Sequence, residues 1–225
     1  MKYNLLLLLL FFSTFSFGQV IIDPIIKKTD GHTIKESTDH GMKIIKLKYT
    51  PSPLFTSGDT VSCFHLYPWG NLLCTTFKIK SKENNFVLLL HNSYAFTKHD
   101  SVSIHSIYPN YKHYGVNATH LYRIEEDLQA SILKDRENIK INFKDYIYYY
   151  PHQYAVNTFN ADTVISYDVN FHDKFSKKID INYERCKALL IQKNESGYIV
   201  LYCCYNDDEL FDRYLGEIGK MFTFE

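Results

Sequence analysis

The sequence predicts an α+β domain, a mainly antiparallel β-sheet flanked by helices over roughly residues 119–136 and 207–222. Three observations predict it. Segments with two-residue alternation outnumber segments with helical periodicity. Consecutive strand segments often lie close enough in the chain to pair as hairpins. One central and one final stretch switch to a three-four spacing of apolar residues, the mark of a helix packed on one face. Runs of strands with helices laid against them, without regular strand–helix alternation, belong to this class.

Composition bounds the rest. The chain has 225 residues, 45% apolar and 22% charged. That is enough to bury a core, and it excludes a disordered tail or a collagen-like rod. Twenty-five basic residues balance 25 acidic ones. Zero net charge gives no long-range pull towards nucleic acid or anionic lipid, so neither is an expected partner.

The first residues predict an address. Lys2 precedes an apolar run from Leu5 to Phe12, and Ser16 and Gly18 place small residues before Gln19. This is the layout of a secretory signal peptide over residues 1–18, cut between Gly18 and Gln19, and it implies a secreted or periplasmic protein. The apolar run is short for a membrane span, and residues 86–90, the next longest, are far shorter still. No span is therefore expected after the signal is removed. The ending Ser16-Phe17-Gly18 before Gln19 resembles signal peptides of Bacteroidetes secretory proteins, and the Lys-heavy, Arg-poor composition is similar.

Residues 19–40 read as a loose lead-in with one edge strand, and residues 41–225 as a single domain. Residues 42–49 alternate imperfectly and read as a strand. Pro51, Pro53, Ser57 and Gly58 mark a turn-rich connection. Residues 60–67 and 72–80 read as the two strands of a hairpin turned by Pro68-Trp69-Gly70-Asn71. Residues 86–90 read as a buried central strand and residues 101–107 as another strand. Over residues 117–137, Leu121, Ile124, Leu128 and Ile132 form one helical stripe, with Asn117 or Thr119 able to cap it. Glu125, Glu126 and Asp127 then lie nearer the positive end of the helix, Lys134 and Arg136 nearer the negative end.

Residues 162–169 read as a strand. Residues 185–193 and 198–205 read as two more, joined by Asn194-Glu195-Ser196-Gly197. If Lys193 faces Tyr198, Cys186 and Cys203 share a face but sit diagonally, about 7 Å apart at Cβ, too far for an unstrained disulfide. Buried free thiols are the expectation there. Asn206 reads as the cap of a closing helix, with Glu209 reaching back to it. Leu210, Tyr214, Ile218 and Met221 or Phe222 form that helix's apolar stripe.

The stretch from Phe159 to Val164, the hairpin over 185–205 and the closing helix resemble uncharacterised secreted Bacteroidetes proteins. Their order is also similar to the end of the PsbP/Mog1-like fold, a sheet covered by helices. The resemblance covers about the last third of the chain and implies a fold without a single activity.

Local recipes for chemistry are missing. His91, His99, His105, His113 and His120 fall in one stretch, yet neither H-x-H nor HExxH occurs. Cys63 and His65 share a predicted strand face, but residues two apart on one face stand about 7 Å from each other. Asp168 and Asp173 flank His172 as ordinary surface carboxylates do. No G-x-S-x-G elbow or glycine-rich phosphate loop is present. Cys63, Cys74, Cys186, Cys203 and Cys204 are odd in number, with no zinc-ribbon pair. No catalytic residue, metal ligand or cofactor is assigned.

Tyr146, Tyr148, Tyr149, Tyr150 and Tyr154 cluster around Pro151 and offer rings suited to a sugar or protein surface, with Trp69 elsewhere as a lone indole. Asp59-Thr60-Val61, Asp100-Ser101-Val102 and Asp162-Thr163-Val164 resemble Bacteroidetes O-glycosylation sites. Asn117 and Asn194 begin N-x-S/T triplets. The expected function is an exported, non-catalytic binding or accessory protein of the cell envelope with an unknown protein or glycan partner. The alternatives are a secreted hydrolase with dispersed groups (His91, His105, Asp100 and Cys63) and an immunity-like or inhibitory partner.

Overall fold

The computed structural model describes residue 39 and residues 41–56, 64–65, 72–73, 77–94, 119–132, 142–170 and 183–225. The predicted signal peptide, nearly all of the lead-in, the strand over 101–107, Trp69, Cys63, Cys74 and the putting-in-place of Asn117 as a cap lie outside them.

Among the described residues the fold is α+β, as the sequence predicts. Six strands form one fully antiparallel sheet in the order β4-β5-β9-β8-β7-β6. These are β4 (Phe77–Lys80), β5 (Phe86–Tyr94), β6 (Ile147–Tyr149), β7 (Thr163–Asp168), β8 (Arg185–Lys193) and β9 (Gly197–Tyr205). Two short pairs stand apart: β1 (Leu47–Tyr49) with β10 (Phe222–Phe224), and β2 (Phe64–His65) with β3 (Leu72–Leu73).

Both faces of the sheet are covered. Helix α1 (Thr119–Ile132) lays Ile124 and Leu128 on one face, against Val87, Leu89, Ile165, Ala188, Val200 and Tyr202. The other face carries Phe86, Leu88, Leu90, Leu189, Leu201 and Tyr205. It packs against α2 (His152–Phe159), α3 (Asp208–Met221) and the β1–β10 pair. Strand β9 is therefore buried at every residue. That is why Tyr198 to Tyr205 reads as a continuous apolar run and not as an alternation.

Several sequence expectations need correction. Residues 41–44 are helical, and only Leu47–Tyr49 is extended, paired with the last strand of the chain. Of the predicted 60–80 hairpin, the described residues show the antiparallel β2–β3 pair, while Phe77–Lys80 forms β4 at the edge of the six-stranded sheet. Helix α1 is described over Thr119–Ile132. Asp207, not Asn206, caps α3, accepting from the Glu209 backbone N–H at 3.1 Å. Asn206 instead accepts from the Glu184 N–H at 2.8 Å and ties the lead-in of β8 to the end of β9.

The β8–β9 register is one residue away from expectation. Lys193 faces Gly197, not Tyr198, so Leu190 faces Val200 and Cys186 faces Cys204. The cause is the turn. Ser196 N–H donates to the Lys193 carbonyl, Glu195 takes φ 61°, and Gly197 takes φ 153°. Asn194, Glu195 and Ser196 complete the reversal, leaving Gly197 as the first strand residue at a φ that side chains disfavour.

Helix α2 and strands β6 and β10 carried no periodic signal. The helix has only eight residues, with two buried positions, Ala155 and Phe159. Its punctuation was present in the sequence: Pro151 precedes it, and Asn160 closes it in the left-handed region at φ 49°. Asn160 also donates to the Phe224 carbonyl at 2.9 Å, joining α2 to the last strand.

Helices α2 and α3 meet at Gly219. A Cβ there would fall well inside van der Waals contact with Thr158 Cγ2, whereas one at Gly216 would meet nothing. Gly216→Ala is expected to stabilise the fold by up to about 1 kcal/mol through helix propensity. Gly219→Ala is expected to destabilise it by about 1–2 kcal/mol, overpacking outweighing the same propensity gain. Urea melts check both. Thr158→Ser, which removes Cγ2, should turn the second substitution neutral or better.

Candidate functional site

The chemistry-bearing groups gather around α1 and the β6–β7 edge. Arg123 and Asp127 stand one turn apart on the buried side of α1 and form an ion pair. Asp127 is fully buried. Its Oδ2 accepts from the Tyr167 hydroxyl at 2.7 Å and the Tyr202 hydroxyl at 2.8 Å. Burial pulls the Arg123 guanidinium down, but the Asp127 carboxylate outweighs it and holds Arg123 charged. Burial and then Asp127 push Tyr167 far up, so its hydroxyl stays protonated and donates. The network clamps α1 to β7 and β9 and locks the Tyr167 ring in place.

That ring is one wall of a cleft of about 440 Å³. Leu128 and Ser131 of α1 line it beside Ile147 and Tyr167. The cleft opens where edge strand β6 begins, because β6 pairs β7 only up to Ile147↔Tyr167 and Asp168 lies beyond it. Tyr146 stands on its rim with Asp145 and Asn170, while Tyr148, Asp168 and Lys187 reach it from across the sheet edge, Tyr148 meeting Tyr150 and Lys187 meeting Phe211 on the opposite face. Asp168 meets Lys187 at 3.7 Å. Asn170 is held by Ser131, its amide donating to the Ser131 carbonyl at 3.1 Å. Asp145 accepts from Asn142 at 3.0 Å. The wall is thus built, and the rim is polar and exposed.

The tyrosine cluster divides by role. Tyr150 stacks on Tyr154 at 5.0 Å, and Tyr154 meets Phe159 at 6.1 Å, so these two anchor the edge to the core. Burial raises both, Tyr154 to about 12. Tyr146, Tyr148 and Tyr149 remain about half exposed, Tyr148 at 58%. Tyr148 keeps an edge-to-face contact with Tyr150 at 4.9 Å, which holds its ring while leaving a face open.

Comparisons with family models, with curated proteins and with solved structures find no match.

The structure describes two of the five histidines of residues 91–120. His91 lies on β5 opposite Val200, and His120 is buried in the first turn of α1. His99, His105 and His113 lie outside the described residues, as do Cys63, Asp100, His172 and Asp173. His65 lies on β2. Among the described residues no three His, Cys, Asp or Glu side chains converge as metal ligands. Asp162 is used locally, its carboxylate accepting from the Asn194 N–H at 2.7 Å in support of the β8–β9 turn. The Asn194 triplet sits on that exposed turn. Sequence reasoning missed Arg123 and Asp127. The available signal was their four-residue spacing, with Asp127 three residues after Ile124 and next to Leu128 on the apolar stripe.

Proposed function

We propose that this chain is an exported, non-catalytic binding protein of the cell envelope, and that its ligand is a glycan held in the cleft at the start of β6. The observation that carries the reading is the exposed Tyr146 on the rim of a concave cleft, beside the carboxylate of Asp145 and the amide of Asn170. A sugar presents an apolar C–H face and a fringe of hydroxyls. An aromatic ring beside fixed polar groups is the complementary surface, and concavity suits a small polar ligand better than a flat protein face. The buried carboxylate of Asp127 is consumed by its three partners, which supports binding over bond-breaking. Residues 1–18, with their likeness to Bacteroidetes signal peptides, support the address.

Titration against soluble envelope polysaccharide tests it. Tyr146→Ala is expected to weaken binding about tenfold, the loss of roughly 1.4 kcal/mol of ring contact, whereas Tyr148→Ala, whose ring lies on the opposite face of the sheet, should change it little, both with the fold unchanged by circular dichroism. A wild-type protein that ignores envelope glycans but retains one protein in stoichiometric amount would replace this reading with the inhibitory-partner one.

A further inference from the structure

Three of the cysteines lie at the centre of the sheet, and their placement is specific. Cys186 on β8 is directly opposite Cys204 on β9. Both side chains belong to the buried layer beneath α1, while Cys203 points to the other layer. In the structure all three are thiols.

Backbone hydrogen bonds define the kind of pair this is. In an antiparallel sheet a residue directs its N–H and C=O to the same neighbour. The Cys186 carbonyl accepts from Val169 N–H at 2.9 Å, so the backbone of Cys186 faces the β7 side and not β9. From the other direction, the Phe86 carbonyl accepts from Ser81 N–H at 2.8 Å, on the β4 side. Its neighbour Val87 therefore faces β9, where its partner is Cys204. The backbone of Cys204 is thus directed at β5, away from β8. Both lines agree that Cys186 and Cys204 form a non-hydrogen-bonded pair. Such pairs hold their Cα atoms about 4.5 Å apart with side chains at closest approach, inside the range a disulfide spans.

We propose that Cys186 and Cys204 are a disulfide-forming pair, closed as a cross-strand bridge during folding in an oxidising compartment. The proposal rests on the export reading for its oxidant, a dithiol–disulfide oxidoreductase or glutathione disulfide. The two thiols lose two protons and two electrons. One thiolate attacks the oxidant's disulfide, the second thiolate displaces that mixed disulfide, and the oxidant leaves as two thiols. Closure belongs to folding because the native sheet buries both groups. Burial also pushes the Cys186 thiol well up, leaving little thiolate once folded. Cys203 is excluded by strand alternation, and its thiol points at the Leu201 carbonyl at 3.5 Å.

The test uses the full chain refolded in a glutathione redox buffer, alkylated under denaturing conditions without reduction, and cleaved after glutamate. The expected result is peptide 185–195 linked to peptide 196–209, two hydrogens lighter than their sum. Cys203→Ser should keep the link and Cys204→Ser should lose it. Reductant should lower the wild-type Tm by about 5–10 °C and leave a Cys186→Ala/Cys204→Ala protein unmoved. Full alkylation of Cys186, or its linkage to Cys63, Cys74 or Cys203, would overturn the proposal. The N-terminal residue of cell-derived protein judges export separately: Gln19 supports it and Met1 refutes it, whatever the state of the thiols.

Discussion

Asp127→Ala is expected to destabilise the protein by about 3–5 kcal/mol, the cost of removing one partner from a buried ion pair. The carboxylate is fully buried and takes hydrogen bonds from Arg123, Tyr167 and Tyr202. Without it, a buried guanidinium loses its counter-charge and two buried hydroxyls lose their acceptor. Domains of this size are stable by only about 5–15 kcal/mol, so the loss is a large fraction of the whole. Tyr167→Phe or Tyr202→Phe alone is expected to cost about 1.5–3 kcal/mol, the worth of one hydrogen bond to a charged group. The decisive control replaces the whole set with apolar residues: Arg123→Met, Asp127→Leu, Tyr167→Phe and Tyr202→Phe together. This variant should regain most of the lost stability, because it leaves no buried charge to solvate. Urea midpoints followed by circular dichroism measure all four cases. An Asp127→Ala protein as stable as wild type would mean that α1 does not seat on the sheet as described.

Acid sensitivity is the second large effect, and it comes from His120. The ring is 7% exposed, and its Nδ1 has no hydrogen-bond partner among the described residues. Burial lowers its pKa to about 4 from an ordinary 6.5. Its place in the first turn of α1, where the helix dipole is positive, acts in the same direction. The unfolded chain takes up a proton as pH falls through 6.5, while the folded chain resists until about 4. The stability contributed by the neutral ring is therefore complete above pH 6.5 and is lost on the way down to pH 4. The loss approaches about 3 kcal/mol at the acid end. His120→Leu should remove this component. Urea midpoints of the two proteins between pH 7 and pH 4 should diverge from a common starting difference. Parallel curves would show that His120 titrates freely.

The legible parts of the fold were those whose signal is local. Ile124 and Leu128 announced α1, and Tyr214 and Ile218 announced α3, because a helix on a sheet must repeat its apolar residues every three or four positions. Strands β7, β8 and β9 showed as dense β-branched and aromatic runs. Helix α2 was missed because two buried residues in eight make no stripe, and β10 because three residues with a distant partner make no pattern. The candidate site was half legible. The tyrosines around Pro151 were visible as a cluster, but their division into two anchors and three exposed rings depends on Phe159 and on the edge position of β6. The buried role of Asp127 is not legible from its place on the helix, because only the packed sheet reveals which side of α1 is covered.

Composition and periodicity by themselves determined the class, an antiparallel sheet with a central and a closing helix, because they encode which face of each element avoids water. Sheet order, the pairing of residues 47–49 with the chain's end, and the cleft beyond Ile147 were decided only by tertiary structure. So was the single-residue register step that sets Cys186 against Cys204. These depend on where distant segments meet and on one turn residue, Glu195, entering the left-handed region. Neither is written in the alternation of apolar and polar residues, since that pattern records a face and not a partner.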